Sequence, residues 1–267
     1  MYEFQFQRAA SVSDALSKFS DADDGRFLAG GQTLLAAMKL RLAAPSDLVD
    51  LSGVAELRGV CVDGGNVVIG AMTTHAAVAD SKDVQKAIPA LARLAGGIGD
   101  RMIRNVGTIG GSVANNDPAA DYPAAALALG ATIVTDKRRI AADDFFTGMY
   151  ETALEPGELI TSVWFPIPKK AGYAKFPNPA SRYALGGVFV AQTDAGVRVA
   201  VTGAGPGVFR VPAMEAALAK SFTADTAKGI AVPADDLNSD MHAGAEYRAH
   251  LIGVMAARAV EEALRGG

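Results

Sequence analysis

The stretch Gly107-Thr108-Ile109-Gly110-Gly111-Ser112-Val113-Ala114-Asn115-Asn116-Asp117-Pro118 gathers glycines, small hydroxyls and amide side chains, and Ala29-Gly30-Gly31-Gln32-Thr33-Leu34, far upstream, has the same character. Both read as loops. Glycine lets a backbone turn with positive φ and lets a ligand come close to the main chain. Successive free N–H groups in such a turn form an anion-binding concavity, helped where a helix starts just after it. Two such stretches in one chain point to a ligand with two phosphates, or to one long ligand held at both ends. With three histidines and one cysteine in the chain, a bound cofactor is a better source of chemistry than a side-chain nucleophile.

Working outward from the first motif, Tyr2, Phe4 and Phe6 alternate with polar residues and predict a half-buried strand. A helix with Val12, Leu16 and Phe19 on one face follows, capped by Ser11 or Ser13. Arg26 to Ala29 reads as a strand, Thr33 to Leu42 as a helix ended by Pro45, and Asp47 to Leu51 as a strand. The result is a small βαβαβ unit with its glycine motif at a strand-to-helix junction. Beyond Gly59, Val60 to Val62 and Val67 to Ile69 flank Asp63-Gly64-Gly65-Asn66 as a hairpin. Helical pieces follow around His75 to Val78, with Thr74 as cap, and over Ile88 to Leu94, stopped by Gly96-Gly97 and Gly99. After the second motif come an apolar helix over Tyr122 to Leu129, a hairpin of 131–134 with 138–141, and a strand over Glu158 to Phe165. Pro166, Pro168, Lys169-Lys170 and Gly172 read as a linker. The remainder predicts strands over Gly172 to Phe176, Leu185 to Gln192 and Val197 to Thr202, then helices over Pro212 to Lys220 and Tyr247 to Leu264.

The chain has 267 residues, which favours two domains over one. The expected division is 1–170, with subdomains 1–57 and 58–170, followed by 171–267. A net charge of −4 without a basic block makes nucleic acid a poor partner. No apolar run reaches the length of a membrane span. The start, Met1-Tyr2-Glu3-Phe4-Gln5, shows no export signal, so the cytoplasm is the default location. The single cysteine, Cys61, excludes an internal disulfide and an all-cysteine iron–sulfur site in this chain, and it is expected to act as a small buried hydrophobe.

Read together, Ala29-Gly30-Gly31-Gln32-Thr33-Leu34-Leu35 and Met38-Lys39-Leu40-Arg41 resemble the first flavin motif of the FAD-binding medium subunits of molybdenum hydroxylases. Thr108-Ile109-Gly110-Gly111, with Asn115, Asp117-Pro118 and Asp121-Tyr122-Pro123, is similar to the second. Phe145-Phe146-Thr147-Gly148 and Glu155-Pro156-Gly157-Glu158-Leu159-Ile160 match in order. The pattern is that of the aerobic carbon monoxide dehydrogenase medium subunits and of the FAD module of xanthine dehydrogenase. The resemblance implies an α+β architecture: a vanillyl-alcohol-oxidase/PCMH-type FAD-binding domain, then a small α+β domain with an antiparallel sheet. It implies non-covalent FAD, with the backbone around Ala29 to Leu34 and Thr108 to Ser112 cradling the pyrophosphate and Leu28 in the same cofactor set. Gly110, Gly111, Asn115, Ile98, Ile103 and Ile160 belong to the same cofactor set. Asp121 matches a carboxylate at the adenosine end, Lys175 a lysine near the isoalloxazine, and Tyr183 a residue facing that ring. Pro177-Asn178-Pro179 departs from the basic segment usual between the last two.

Each residue also has a plainer reading. Thr33, Thr108 and Ser112 are competent helix caps, although Thr108 and Ser112 are favoured as phosphate donors. Asn116 reads as a satisfier of loop backbone. Lys39 and Arg41 suit a helix C-terminus, and Arg101 and Arg104 either neutralise phosphate or pair on the surface. His75, His242 and His250 lack metal spacing and read as structural. No catalytic or metal-binding residue is expected here. The leading function is the electron-transfer subunit of a molybdenum hydroxylase. Its partners would be a molybdopterin-binding large subunit and a [2Fe–2S] small subunit, in a heterotrimer or a dimer of heterotrimers. Two other readings are a self-contained flavin oxidase or reductase, and a scaffold subunit without cofactor, against which the intact glycine motifs argue.

Overall fold

Residues 1–266 are described in a computed structural model. The chain opens with β1 (Gln5–Arg8), α1 (Val12–Ser20), β2 (Gly25–Leu28), α2 (Leu34–Lys39) and β3 (Asp47–Asp50). These strands form a parallel sheet in the order β1-β3-β2. β3 lies in the middle and all four of its residues are buried, including two aspartates. Those carboxylates keep partners inside the sheet: Gln7 donates to Asp47 at 2.9 Å and Arg8 to Asp50 at 2.9 Å. Ser11, not Ser13, caps α1 by accepting from the Asp14 N–H. The second helix stops at Lys39 rather than Leu42 because Arg41 adopts a left-handed φ of 62°. Leu42 N–H then reaches back to Ala37 O and Arg41 N–H to Met38 O, the double bond pattern that closes a helix.

The next unit holds β4 (Val60–Asp63), β5 (Asn66–Gly70), α3 (His75–Asp80), α4 (Lys82–Ala87), α5 (Pro89–Gly96), α6 (Arg101–Val106), α7 (Ile109–Asn115) and α8 (Tyr122–Leu129). It continues through β6 (Thr132–Thr135), β7 (Arg139–Ala141), α9 (Ala142–Phe145), β8 (Phe146–Gly148), β9 (Glu151–Thr152) and β10 (Ile160–Pro166). Its antiparallel sheet runs β4-β5-β10-β6-β7. One face, with Val67, Ile69, Ile133, Val163 and Phe165, is buried against the helices. On the other face the Arg139 guanidinium covers the Trp164 ring at 4.4 Å. All eight residues of α8 are buried, as its continuous apolar sequence predicts. Cys61 corrects its expectation: it lies on edge strand β4 and is exposed.

The second glycine motif is also a correction, because it is not a loop. Its residues Ile109–Asn115 form α7, with both glycines in the first turn and Thr108 as N-cap. Glycine lowers helix propensity by about 1 kcal/mol per residue, and here packing overrides it. A Cβ on Gly110 would stand 2.6 Å from Ala71 Cβ, so only glycine lets α7 lie this close to the end of β5.

The last unit contains β11 (Lys170–Pro177), β12 (Ala184–Thr193), β13 (Gly196–Thr202), β14 (Phe209–Arg210), α10 (Pro212–Lys220), α11 (Ala224–Lys228) and α12 (Ala245–Leu264), with the strands in an antiparallel sheet in chain order. Lys170 and Gly172, read as linker, are ladder residues opposite Gln192 and Val190. Gly172 is where α12 crosses the sheet, since a Cβ there would stand 1.9 Å from Ala259 O. Along β12 the side chains alternate. Phe189 and Ala191 join the core of the preceding unit, while Val188 and Val190 face α10 and α12. One hydrophobic core thus draws on both sides of the connection at 167–169, with members from Val67 to Ala200.

Candidate functional site

The two glycine motifs meet. A Cβ on Gly30 would stand 2.3 Å from Val106 O and 2.8 Å from Gly107 Cα, and one on Gly111 would stand 3.5 Å from Ala29 Cβ. Gly31 holds a φ of 68°, and any side chain there would collide with Leu35. Between the motifs opens a cleft of about 600 Å³, a volume typical of sites for small molecules and cofactors. Leu28 to Leu34, Ile98, Ile103, Thr108, Gly110, Gly111, Ser112, Asn115, Asp121, Ile160 and Tyr183 all line it. These residues come from all three units.

The backbone donors are divided unequally, against expectation. In the second motif Ile109 N–H donates to Thr73 O, Gly110 N–H to Ala71 O, Gly111 N–H to Thr108 Oγ1 and Ser112 N–H to Thr108 O. These amides are spent on building α7 and anchoring it. The N–H groups of Ala29 through Leu34 have no acceptor among the described residues, and Gln32 and Thr33 are exposed. The unpaired amides of the two motifs therefore lie in the first. The hydroxyls divide in the same way. Thr108 Oγ1 is occupied as a cap and the residue is 3 % exposed, whereas Ser112 and Thr33 carry hydroxyls without a protein partner among the described residues. Asn116 satisfies backbone, as read from the sequence: its amide donates to Gly148 O and Glu151 O, both at 2.8 Å.

Lys175 stands behind the wall rather than on it. Its ammonium pairs with the Asp121 carboxylate at 2.9 Å and donates to Gly97 O at 3.0 Å. Tyr173 donates its hydroxyl to the same carboxylate. Burial pushes Asp121 upward, and the lysine and tyrosine work against that shift. Asp121 and Lys175 thus form one buried ion pair at the edge of the cleft. Tyr183 is 46 % exposed at the mouth of the cleft. Burial and the nearby Asp117 raise its phenol above the usual value.

Two wall residues escaped the sequence reading. Glu158 is held down to about 2, first by Arg138, which grips both carboxylate oxygens at 2.9 Å, and then by Thr135 and the Glu155 N–H. It is a fixed charge, not a proton donor. His75 is buried, and its Nδ1 lacks any partner, as does the hydroxyl of Tyr122 beside it. A lone histidine at a helix start gives no sequence signal separating this from a packed core residue. Among the described residues no group of histidine, cysteine, aspartate and glutamate could hold a metal ion. The lining fits FAD instead: unpaired amides for a diphosphate, and apolar side chains such as Ile98, Ile103 and Ile160 for flat rings.

Comparison with known proteins agrees. Residues 2–168 match the family described as the FAD binding domain in molybdopterin dehydrogenase. The nicotine 6-hydroxylase medium subunit of Paenarthrobacter nicotinovorans is 37% identical over 97% of this chain and 96% of its own. The carbon monoxide dehydrogenase medium chain of Afipia carboxidovorans is 38% identical over 97% of this chain and 96% of its own. A chain of the reconstituted CO dehydrogenase from Oligotropha carboxidovorans superposes with a TM-score of 0.90 at 34% identity, covering 99% of both. Motifs, cleft and relatives lead to one conclusion: the chain belongs to the family of FAD-binding medium subunits of molybdenum hydroxylases.

Proposed function

We propose that this chain is the flavoprotein subunit that stands between the [2Fe–2S] clusters of a small subunit and an external electron acceptor, while substrate is oxidised at a molybdopterin centre on a large subunit. The observation that carries this is the row of unpaired backbone N–H groups from Ala29 to Leu34, opening onto a cleft that the second motif closes from the other side. Bound FAD supplies the redox chemistry. The chain's own part is to hold the diphosphate on main-chain donors, with Ser112 and Thr33 adding hydroxyls, and to keep Tyr183 at the mouth. Medium subunits that match over nearly their whole length favour this reading over a self-contained oxidase. The complete assembly is proposed to be a heterotrimer, or a dimer of heterotrimers, in the cytoplasm. Among the described residues no helix is long and apolar enough to cross a membrane.

The test is co-expression with the genes for a molybdopterin-binding chain and a [2Fe–2S] chain, followed by absorbance spectroscopy of this subunit. One flavin per chain, released by acid without proteolysis, is the expected result. A stable complex that never shows flavin absorbance overturns the proposal.

A further inference from the structure

His75 is the first residue of α3, fixed by the Thr74 cap and by its own N–H, which donates to Gly107 O at 2.9 Å. The residue is 5 % exposed. Its ring lies 5.4 Å from that of Tyr122 and packs against Gly107, where a Cβ would stand 2.7 Å from Nε2. Neither ring nitrogen has a hydrogen-bond partner among the described residues. Nδ1 is enclosed, and His75 lines the cleft with Nε2 beside Gly107. A buried polar group left without a partner is destabilising, and an apolar side chain of similar volume would avoid that cost. Gly30, within the unpaired N–H row, packs against the same Gly107. The imidazole and Gly30 thus share one neighbour, Gly107, on the wall of the cleft. Burial and the nearby Arg104 guanidinium keep it uncharged, at about 4.

We propose that His75 is a further cofactor-binding residue, a neutral imidazole that donates its Nε2 hydrogen to an oxygen of the diphosphate–ribityl segment of FAD. This rests on the FAD reading given above. His75 adds a directional donor without a counter-charge, next to amides that are themselves uncharged. The geometry assigns it no role in proton transfer.

The test uses the full chain with ¹⁵N-labelled histidine, titrated with FAD. The expected result is that the His75 ring nitrogens move on binding while those of His250, exposed on α12, stay in place. His75→Leu is expected to weaken FAD binding about tenfold and His75→Gln to retain it within about threefold, both with unchanged circular dichroism. FAD binding to the unaltered chain with the His75 signals unmoved overturns the proposal without any variant. Equal affinity in His75→Leu overturns it too. A stable complex of the unaltered chain with its partner subunits that never takes up FAD sinks the cofactor reading first, and this proposal with it.

Discussion

Glu158 and His75 share the wall of one cleft and answer acid differently. Glu158 is enclosed but gripped by Arg138, so its folded value near 2 lies below the ordinary 4.5. Its contribution to stability is complete above pH 4.5 and is lost as pH falls towards 2. His75 is enclosed without a partner, so its folded value near 4 lies below the ordinary 6.5. Between those limits the unfolded chain accepts a proton that the folded ring refuses, and stability falls as pH drops from 6.5 to 4. Urea midpoints measured from pH 7 to 3 are expected to show both losses; His75→Gln removes the upper one and Glu158→Gln the lower. Gly30 is a third case. A methyl placed 2.3 Å from Val106 O must push the motifs apart, so Gly30→Ala is expected to cost about 2 kcal/mol and to abolish FAD retention on gel filtration. The need for glycine at position 30 was legible in the sequence, but its reason was not. The residue accommodates the neighbouring segment as much as a ligand.

At the scale of elements, what could be read depended on apolar periodicity. α5, α8 and α10 carry buried stripes or runs, and α1 a half-buried apolar face of Val12, Leu16 and Phe19, so all four are visible in the sequence. α6 buries no residue and α4 buries only Val84, so neither leaves an apolar signature; each is announced only by its cap, Asp100 or Ser81. α7 was hidden by its own glycines. Its start depends on Thr108, whose hydroxyl accepts the Gly111 N–H at 3.2 Å. Thr108→Val keeps the volume and removes that acceptor, and is expected to cost about 1 kcal/mol by thermal unfolding. Because the α7 amides are already satisfied, the same change is expected to weaken FAD binding less than any change that distorts Ala29 to Leu34. Equal losses of affinity would return the second motif to the role of amide donor.

Across the whole molecule, the pairs that tie the units together were illegible because they join residues far apart in sequence. Lys175 on β11 meets Asp121 at the start of α8, and Thr202 donates to Ala120 O at 2.6 Å and to Pro118 O at 3.1 Å. The segment from Pro118 to Asp121, which shapes one end of the cleft, is thus held by the last unit. A fragment of residues 1–168 would lose that grip and expose the core that Tyr173, Phe189, Ala191 and Ala200 complete. It is expected to bind a hydrophobic dye and to retain no flavin; a monomeric fragment with a flavin spectrum would contradict the shared core. The exposed thiol on the outermost strand of the five-stranded sheet has a practical side. Air oxidation can join two polypeptides through Cys61, giving a band of doubled mass on a non-reducing gel that Cys61→Ser removes. The same sulfur accepts one maleimide per polypeptide, a ready attachment point for a fluorophore that reports assembly with other subunits.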